Sequence, residues 1–262
     1  MQPGADFKRG VVSAFGYEVP FAEAGTGDAI ISLPASAGLE MSKAKDMLAR
    51  DYRVIELDPP GWGETPSVAA AMKQRHLAAI LAAAVEEIGI ERYVLIGSSL
   101  GGVNALWLAR QFPDRVSAMV LEAPMAFYRQ EDLINPEGEK MIQAIRSGAL
   151  SVYDADIPPP PVHPQKPWAT ADFFHEQMRR RFKMFRFTDT SENAALEPFA
   201  RSMSIPTTLV LGTEDEFLKP NYAARLSSII PNLKVKIVEG ATHDIQNTGA
   251  DAFVQAVRAA HN

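Results

Sequence analysis

The stretch of sequence that decides the fold is Arg92-Tyr93-Val94-Leu95-Ile96-Gly97-Ser98-Ser99-Leu100-Gly101. Residues 93–96 are aromatic or aliphatic, which predicts a buried strand. Beyond the glycines and serines, Val103, Leu106 and Trp107 recur at helical spacing. The stretch therefore predicts a strand that turns sharply into a helix.

The turn itself has the pattern Gly97-x-Ser99-x-Gly101. Gly-x-Ser-x-Gly between a strand and a helix is typical of a nucleophile elbow, in which the serine occupies a strained backbone conformation. Small neighbours are needed there because the helix packs closely on the strand. Ser99 is therefore the candidate nucleophile.

Working outward, short apolar runs alternate with helical patterns, which is typical of a parallel sheet covered by helices on both faces. A further strand pattern at residues 11–21 predicts an antiparallel edge. The remaining predicted strands are residues 29–33, 53–58, 116–121, 207–211 and 235–238, and the helices are residues 40–50, 68–90, 221–229 and 250–260. The sequence thus predicts an α/β fold.

The alternation stops between about residues 124 and 198, where prolines cluster at 158–161, 164 and 167. We interpret this segment as an inserted cap, so that residues 1–124 and 200–262 form the core and 125–199 the cap. Its aromatic side chains, such as Trp168 and Phe173, offer apolar surface for a pocket.

The composition excludes several function classes. With no cysteine, the chain has no disulfide, no thiolate zinc site and no cysteine nucleophile. Its net charge of −6 offers no broad positive field for nucleic acid or anionic lipid. The first residues lack the apolar run of a signal peptide. We expect a cytoplasmic protein with a small-molecule substrate and no nucleic-acid or membrane partner. The oligomeric state stays open, and a homodimer is one of the alternatives.

A serine hydroxyl needs a histidine that takes its proton. Of the five histidines, His243 alone follows a late strand directly, in a glycine-containing loop before the last helix. His76 lies in a helical pattern, and His163, His175 and His261 lie in the cap or the tail. His243 is therefore the candidate base.

The histidine in turn needs a carboxylate, expected in the loop after the preceding strand. Three adjacent acids occupy this loop, Glu214, Asp215 and Glu216. We choose Asp215, and Glu122 at the end of an earlier strand is a second-rank alternative. The chain order of serine, acid and histidine is the one that this fold uses.

The chain resembles the α/β-hydrolase family over nearly its whole length. The resemblance rests on Gly97 to Gly101, on Asp58-Pro59-Pro60-Gly61-Trp62-Gly63, on residues 206–215, and on Gly240 to His243 with Phe253 beyond. It implies an eight-stranded, mostly parallel sheet flanked by helices, with a helical cap inserted after the sixth strand.

One loop departs from the family. Relatives usually have His-Gly after the third strand, where a backbone N–H helps to bind the oxyanion, whereas here the sequence is Leu33-Pro34-Ala35-Ser36. Proline has no N–H, so Ser36 or Ala35 must supply the donor beside the N–H of Leu100. We choose Ser36.

These residues predict a cofactor-free, metal-free serine hydrolase, carboxylesterase-like, that cleaves an ester or related acyl bond of a small, largely hydrophobic substrate through an acyl-enzyme. Serine at position 99 argues against the haloalkane dehalogenase and epoxide hydrolase branches, which need aspartate there. Carbon-carbon bond hydrolases often have a tryptophan shortly after the histidine, whereas Asp244-Ile245-Gln246-Asn247 follows here. That activity, a perhydrolase-like one and a weakly catalytic ligand-binding module remain the alternatives.

Overall fold

The computed structural model describes residues 3–35, 38–63, 65, 72–135 and 190–261. In these residues, an eight-stranded sheet forms the centre of the protein. The strand order is β1-β2-β4-β3-β5-β6-β7-β8, and all neighbouring strands from β4 to β8 are parallel. The strands are β1 (Lys8–Ala14), β2 (Tyr17–Ala24), β3 (Ala29–Leu33), β4 (Arg53–Leu57), β5 (Tyr93–Ser98), β6 (Val116–Glu122), β7 (Thr207–Gly212) and β8 (Lys234–Val238). The predicted fold class is confirmed.

The antiparallel edge of the sheet is a hairpin. Strand β1 pairs with β2 through a two-residue turn at Phe15 and Gly16, whose φ values are 51° and 81°. Two successive positive φ values are what a type I′ turn requires, and its twist matches that of the flanking strands. Strand β2 then pairs antiparallel with β4, which joins the hairpin to the parallel part of the sheet.

Helices cover both faces of the sheet. They are α1 (Lys43–Leu48), α2 (Gln74–Glu87), α3 (Leu100–Gln111), α4 (Thr190–Ser202), α5 (Tyr222–Ser227), α6 (Ile245–Thr248) and α7 (Ala250–His261). One core contains Leu81 of α2 and Leu106 of α3, and the other contains Leu48 of α1 and Phe253 of α7. Strand β5 lies between the two cores, which is why all six of its residues are buried.

Helix α4 was not predicted, because Pro198 lies inside it and the sequence there was interpreted as part of the cap. Proline removes one backbone hydrogen bond, but Leu196 and Ala200 are fully buried in the core beside α3, and this packing maintains the helix. The helix crosses residue 199, the predicted end of the cap. Residues 136–189, with Trp168 and Phe173, lie outside the described residues, so the domain boundaries stay a prediction.

Candidate active site

Ser99 occupies a strained turn between β5 and α3. Its φ of 51° and ψ of −115° are unfavourable for a residue with a side chain. Backbone hydrogen bonds hold the turn: the N–H of Ser99 donates to the Glu122 carbonyl at 2.9 Å, and its carbonyl accepts from Gly102 and Met125, both at 3.0 Å. The predicted geometry of the elbow is therefore present at this residue.

Two glycines permit the close packing of this turn. A Cβ on Gly97 would lie 2.7 Å from the Cα of Gly102, and one on Gly101 would lie 2.5 Å from the carbonyl oxygen of Pro34. Backbone atoms cannot move away cheaply, so no larger residue fits at these positions. The glycines bring the loop after β3 against the start of α3.

Asp215 lies in the loop after β7 and is 4% exposed. Its Oδ1 accepts hydrogen bonds from the backbone N–H groups of Phe217 and Leu218, both at 2.8 Å. The other oxygen, Oδ2, lies 2.9 Å from Nδ1 of His243. One oxygen thus fixes the carboxylate to its own loop, and the other is directed at the histidine ring.

The loop after β8 carries His243 and is attached to the acid loop. The backbone N–H of Glu214 donates to the Ala241 carbonyl at 2.9 Å, and that of His243 donates to Oε2 of Glu216 at 3.0 Å. The ring of Phe217 packs edge-on against the imidazole, with 4.7 Å between centroids. These contacts orient the imidazole from several sides.

The electrostatics of His243 follow from its acidic neighbours. Burial lowers the pKa of His243, but the hydrogen bond and charge of Asp215, with the charges of Glu122 and Glu216, outweigh burial and raise it above its ordinary value. A proton on Nδ1 is therefore stabilised by the carboxylate that it faces. This arrangement leaves Nε2 for exchange of a proton with another group.

The other predicted acids have different contacts. Glu214 is exposed, and Glu216 accepts from the backbone of His243 rather than from its ring. Glu122 is buried at the end of β6 and accepts from Ser98 and Gln246. Within the described part of the chain, Asp215 is the acid that the structure brings to the His243 ring.

The four histidines that the sequence analysis set aside lie elsewhere or outside the described residues. His76 is exposed on α2, and His261 contacts Asp28 and Tyr52 at the end of α7. His163 and His175 fall within residues 136–189, which are not described. His243 is thus the histidine that the described structure places beside a predicted acid.

The candidate oxyanion donors are only partly described. Leu100 begins α3, where backbone N–H groups have no acceptor within the helix. Ser36 lies outside the described residues, so its role stays a prediction. The preceding residue, Ala35, is held in place because its carbonyl accepts from the indole N–H of Trp62 at 3.1 Å.

Sequence reasoning missed a group of polar side chains beneath the Ser99 turn. Ser42, Ser98 and Gln246 are buried together with Glu122, which the sequence had offered only as an alternative acid. No pattern signals this group, because its members are far apart in the chain.

Among the described residues, no group of His, Cys, Asp or Glu side chains could hold a metal ion. The helices of these described residues all fall short of the length and apolar character that a membrane span requires.

Comparisons with known proteins agree with the observed fold. The family model described as alpha/beta hydrolase fold matches residues 32–161. A protein provisionally named carbamate hydrolase RutD, from Pseudomonas syringae, is 28% identical over 81% of this chain and 85% of its own. A 2-hydroxy-6-oxononadienedioate/2-hydroxy-6-oxononatrienedioate hydrolase from Burkholderia vietnamiensis is 26% identical over 79% and 75%, respectively.

Solved structures show the same fold. The crystal structure of a protein provisionally named lipase, from Acinetobacter baumannii, superposes with a TM-score of 0.76 at 18% identity and covers 96% of this chain and 90% of its own. With the sheet order, these matches show that the chain belongs to the α/β-hydrolase superfamily. It is accordingly an α/β-fold hydrolase.

Proposed function

We propose that the protein is a serine hydrolase that cleaves an ester or related acyl bond, with Ser99 as nucleophile, His243 as general base and Asp215 as the residue that orients His243. The observation that carries the proposal is the hydrogen bond between Asp215 and His243, which joins two loops at the end of the sheet where Ser99 also lies. The strained turn at Ser99 supports it.

In the first half of the proposed reaction, the Ser99 hydroxyl oxygen attacks the carbonyl carbon of the substrate while Nε2 of His243 takes the hydroxyl proton. The tetrahedral intermediate then collapses, and His243 gives this proton to the leaving group. An acyl group remains on Ser99. In the second half, His243 activates a water molecule, which releases the acid and restores the serine.

Asp215 has two roles in this scheme. Its hydrogen bond to Nδ1 keeps the proton of neutral His243 on that nitrogen, so that Nε2 is free to accept. Its negative charge stabilises the imidazolium that forms during attack. The backbone N–H of Leu100 and a donor from the loop at Ser36 would bind the oxyanion, and this chemistry needs no cofactor.

The proposed substrate is small and largely hydrophobic. Phe217 packs against the His243 ring and is 54% exposed, and its carbonyl accepts from the backbone N–H of Ile134, which is itself 49% exposed. Large apolar side chains that stay exposed beside a candidate catalytic histidine are suited to contact an apolar acyl or leaving group.

Labelling with a fluorophosphonate tests the proposal. The probe reacts with activated serines, so we expect modification at Ser99, located by mass spectrometry of tryptic peptides, and none in Ser99→Ala. Hydrolysis of short p-nitrophenyl esters should likewise depend on Ser99. If folded wild-type protein is not labelled and turns esters over no faster than Ser99→Ala, the proposed serine chemistry is refuted and the alternative of a weakly catalytic ligand-binding module is favoured.

A second candidate reaction is the hydrolysis of carbon-carbon bonds. The relative from Burkholderia vietnamiensis, named as acting on a 2-hydroxy-6-oxo dienedioate, favours it. The same three residues would serve, but Asp244 follows His243 where such enzymes often carry tryptophan nearby. Comparing kcat/KM for a 2-hydroxy-6-oxo dienoate with that for p-nitrophenyl esters separates the two reactions.

A further inference from the structure

Four polar side chains form a closed group beneath the Ser99 turn, which we call the buried polar cluster: Ser42, Ser98, Glu122 and Gln246. None is more than 6% exposed. Ser98 and Glu122 are paired residues at the ends of β5 and β6. By the alternation of side chains along a strand, they face the side of the sheet that α1 and α7 cover.

Gln246 connects the members of the cluster. Its backbone N–H donates to Oε1 of Glu122 at 2.9 Å, and its side-chain amide donates to Oε2 of Glu122 at 2.6 Å and to the Ser98 hydroxyl at 2.9 Å. Its Oε1 accepts from the Ser42 hydroxyl at 3.0 Å. The Ser98 hydroxyl donates to Oε2 of Glu122 at 2.5 Å. Each side-chain polar group of Gln246 and Glu122 therefore has a partner.

The cluster lies between the two loops that the proposed reaction must bring together. Ser98 immediately precedes Ser99, and the Glu122 carbonyl accepts the N–H of Ser99. Gln246 follows His243 by three residues in the sequence. We propose that Glu122 and Gln246 are positioning residues, which hold the His243 loop at a fixed distance from the Ser99 turn. This inference rests on the proposed function.

The cost of burying Glu122 supports a positioning role. Burial raises the pKa of Glu122, and the hydrogen bonds from Ser98 and Gln246 oppose this effect only in part. Glu56, a second buried glutamate on this face, is instead paired with Lys45 at 2.8 Å. A buried carboxyl group that relies on neutral partners adds little net stability, but its hydrogen bonds specify one geometry.

The hydrogen-bond pattern allows a sharp test, because donors and acceptors can be exchanged between the two residues. In Glu122→Gln the new NH₂ group faces a donor of Gln246, or the Gln246 amide turns over and the Ser42 hydroxyl loses its acceptor. In Gln246→Glu two carboxyl groups meet. In the double variant Glu122→Gln/Gln246→Glu, the amide at 122 donates to the carboxylate at 246, and Ser98 and Ser42 donate to that same carboxylate. Every hydrogen bond of the cluster can then form again.

We expect each single variant to lower kcat for p-nitrophenyl ester hydrolysis by roughly tenfold to a hundredfold, because small displacements of catalytic groups have effects of this size. KM should change little, since the cluster lies beneath the turn. The double variant should regain most of the wild-type kcat. Ser32→Ala is the matched control: this serine is buried on the same face, and its hydroxyl has no hydrogen-bond partner among the described residues.

Two results would overturn the inference while leaving the proposed function intact: wild-type kcat in the folded single variants, or no recovery in a folded double variant. Ser98→Ala provides a milder change if these variants do not fold. It removes the hydrogen bond that Ser98 donates to Glu122 and the one that it accepts from Gln246. We expect kcat to fall about twofold to tenfold, and an unchanged kcat would also contradict the inference. Failure of wild-type Ser99 to react with a fluorophosphonate would instead refute the proposed function itself.

Discussion

Replacing Asp215 with asparagine should reduce activity strongly, although the two side chains have nearly the same shape. Oδ1 of Asp215 accepts from two backbone N–H groups, those of Phe217 and Leu218. The carbonyl oxygen of an asparagine must take that position, because its NH₂ group there would face two donors. The NH₂ group is therefore directed at Nδ1 of His243 and donates to it.

This reversal of the hydrogen bond favours the wrong tautomer of His243. With Nδ1 accepting, the neutral ring carries its proton on Nε2 and cannot take one from Ser99. To restore the productive tautomer, the amide must rotate and leave two backbone donors unsatisfied, at about 1–3 kcal/mol each. Because about 1.4 kcal/mol corresponds to a factor of ten, kcat should fall roughly thirtyfold to ten-thousandfold.

Steady-state hydrolysis of p-nitrophenyl esters measures this loss, with circular dichroism to verify folding. Glu214→Gln is the matched control, since this adjacent acid is exposed and its backbone N–H bonds to Ala241. Its kcat should stay within about twofold of wild type. If Asp215→Asn retains wild-type kcat while Ser99→Ala is inactive, Asp215 does not set the tautomer of His243.

Three further predictions concern pH, a buried ion pair and a glycine. Burial lowers the pKa of His243, but Asp215 and the other acids raise it overall. We therefore expect kcat/KM to decline on acidification with a midpoint above about pH 6.5, and a lower midpoint would contradict this. The pairing of charged His243 with Asp215 stabilises the fold at low pH, and this contribution is lost as the pH rises through the raised pKa. Lys45→Met leaves Glu56 buried without its cation and should lower the free energy of unfolding in urea by about 3–5 kcal/mol, whereas adding Glu56→Leu should restore most of it. Gly101→Ala places a methyl group against the Leu33 and Pro34 carbonyls, and it should lower the free energy of unfolding by about 1–3 kcal/mol with loss of activity. Gly89→Ala, where a methyl group meets open space, should lower it by only about 1 kcal/mol and keep activity.

The fold and the Ser99 turn were predictable because their causes are local. A buried strand needs a continuous apolar run, and a tight strand-to-helix turn needs small residues at fixed offsets, so residues 93–101 carry the information themselves. His243 could be chosen as a candidate for a similar reason, since it lies in the loop after a predicted strand. Helix α4 was missed because Pro198 is a local signal that packing of Leu196 overrides.

Other features could be decided only by the tertiary structure. Glu214, Asp215 and Glu216 have the same chemistry, and which of them reaches the His243 ring depends on how the loop folds around Oδ1 of Asp215. The buried polar cluster joins residues separated by up to 204 positions. Hydrogen bonds between such distant residues follow from where the packed strands, helices and loops bring them in space, and neither composition nor periodicity encodes that position.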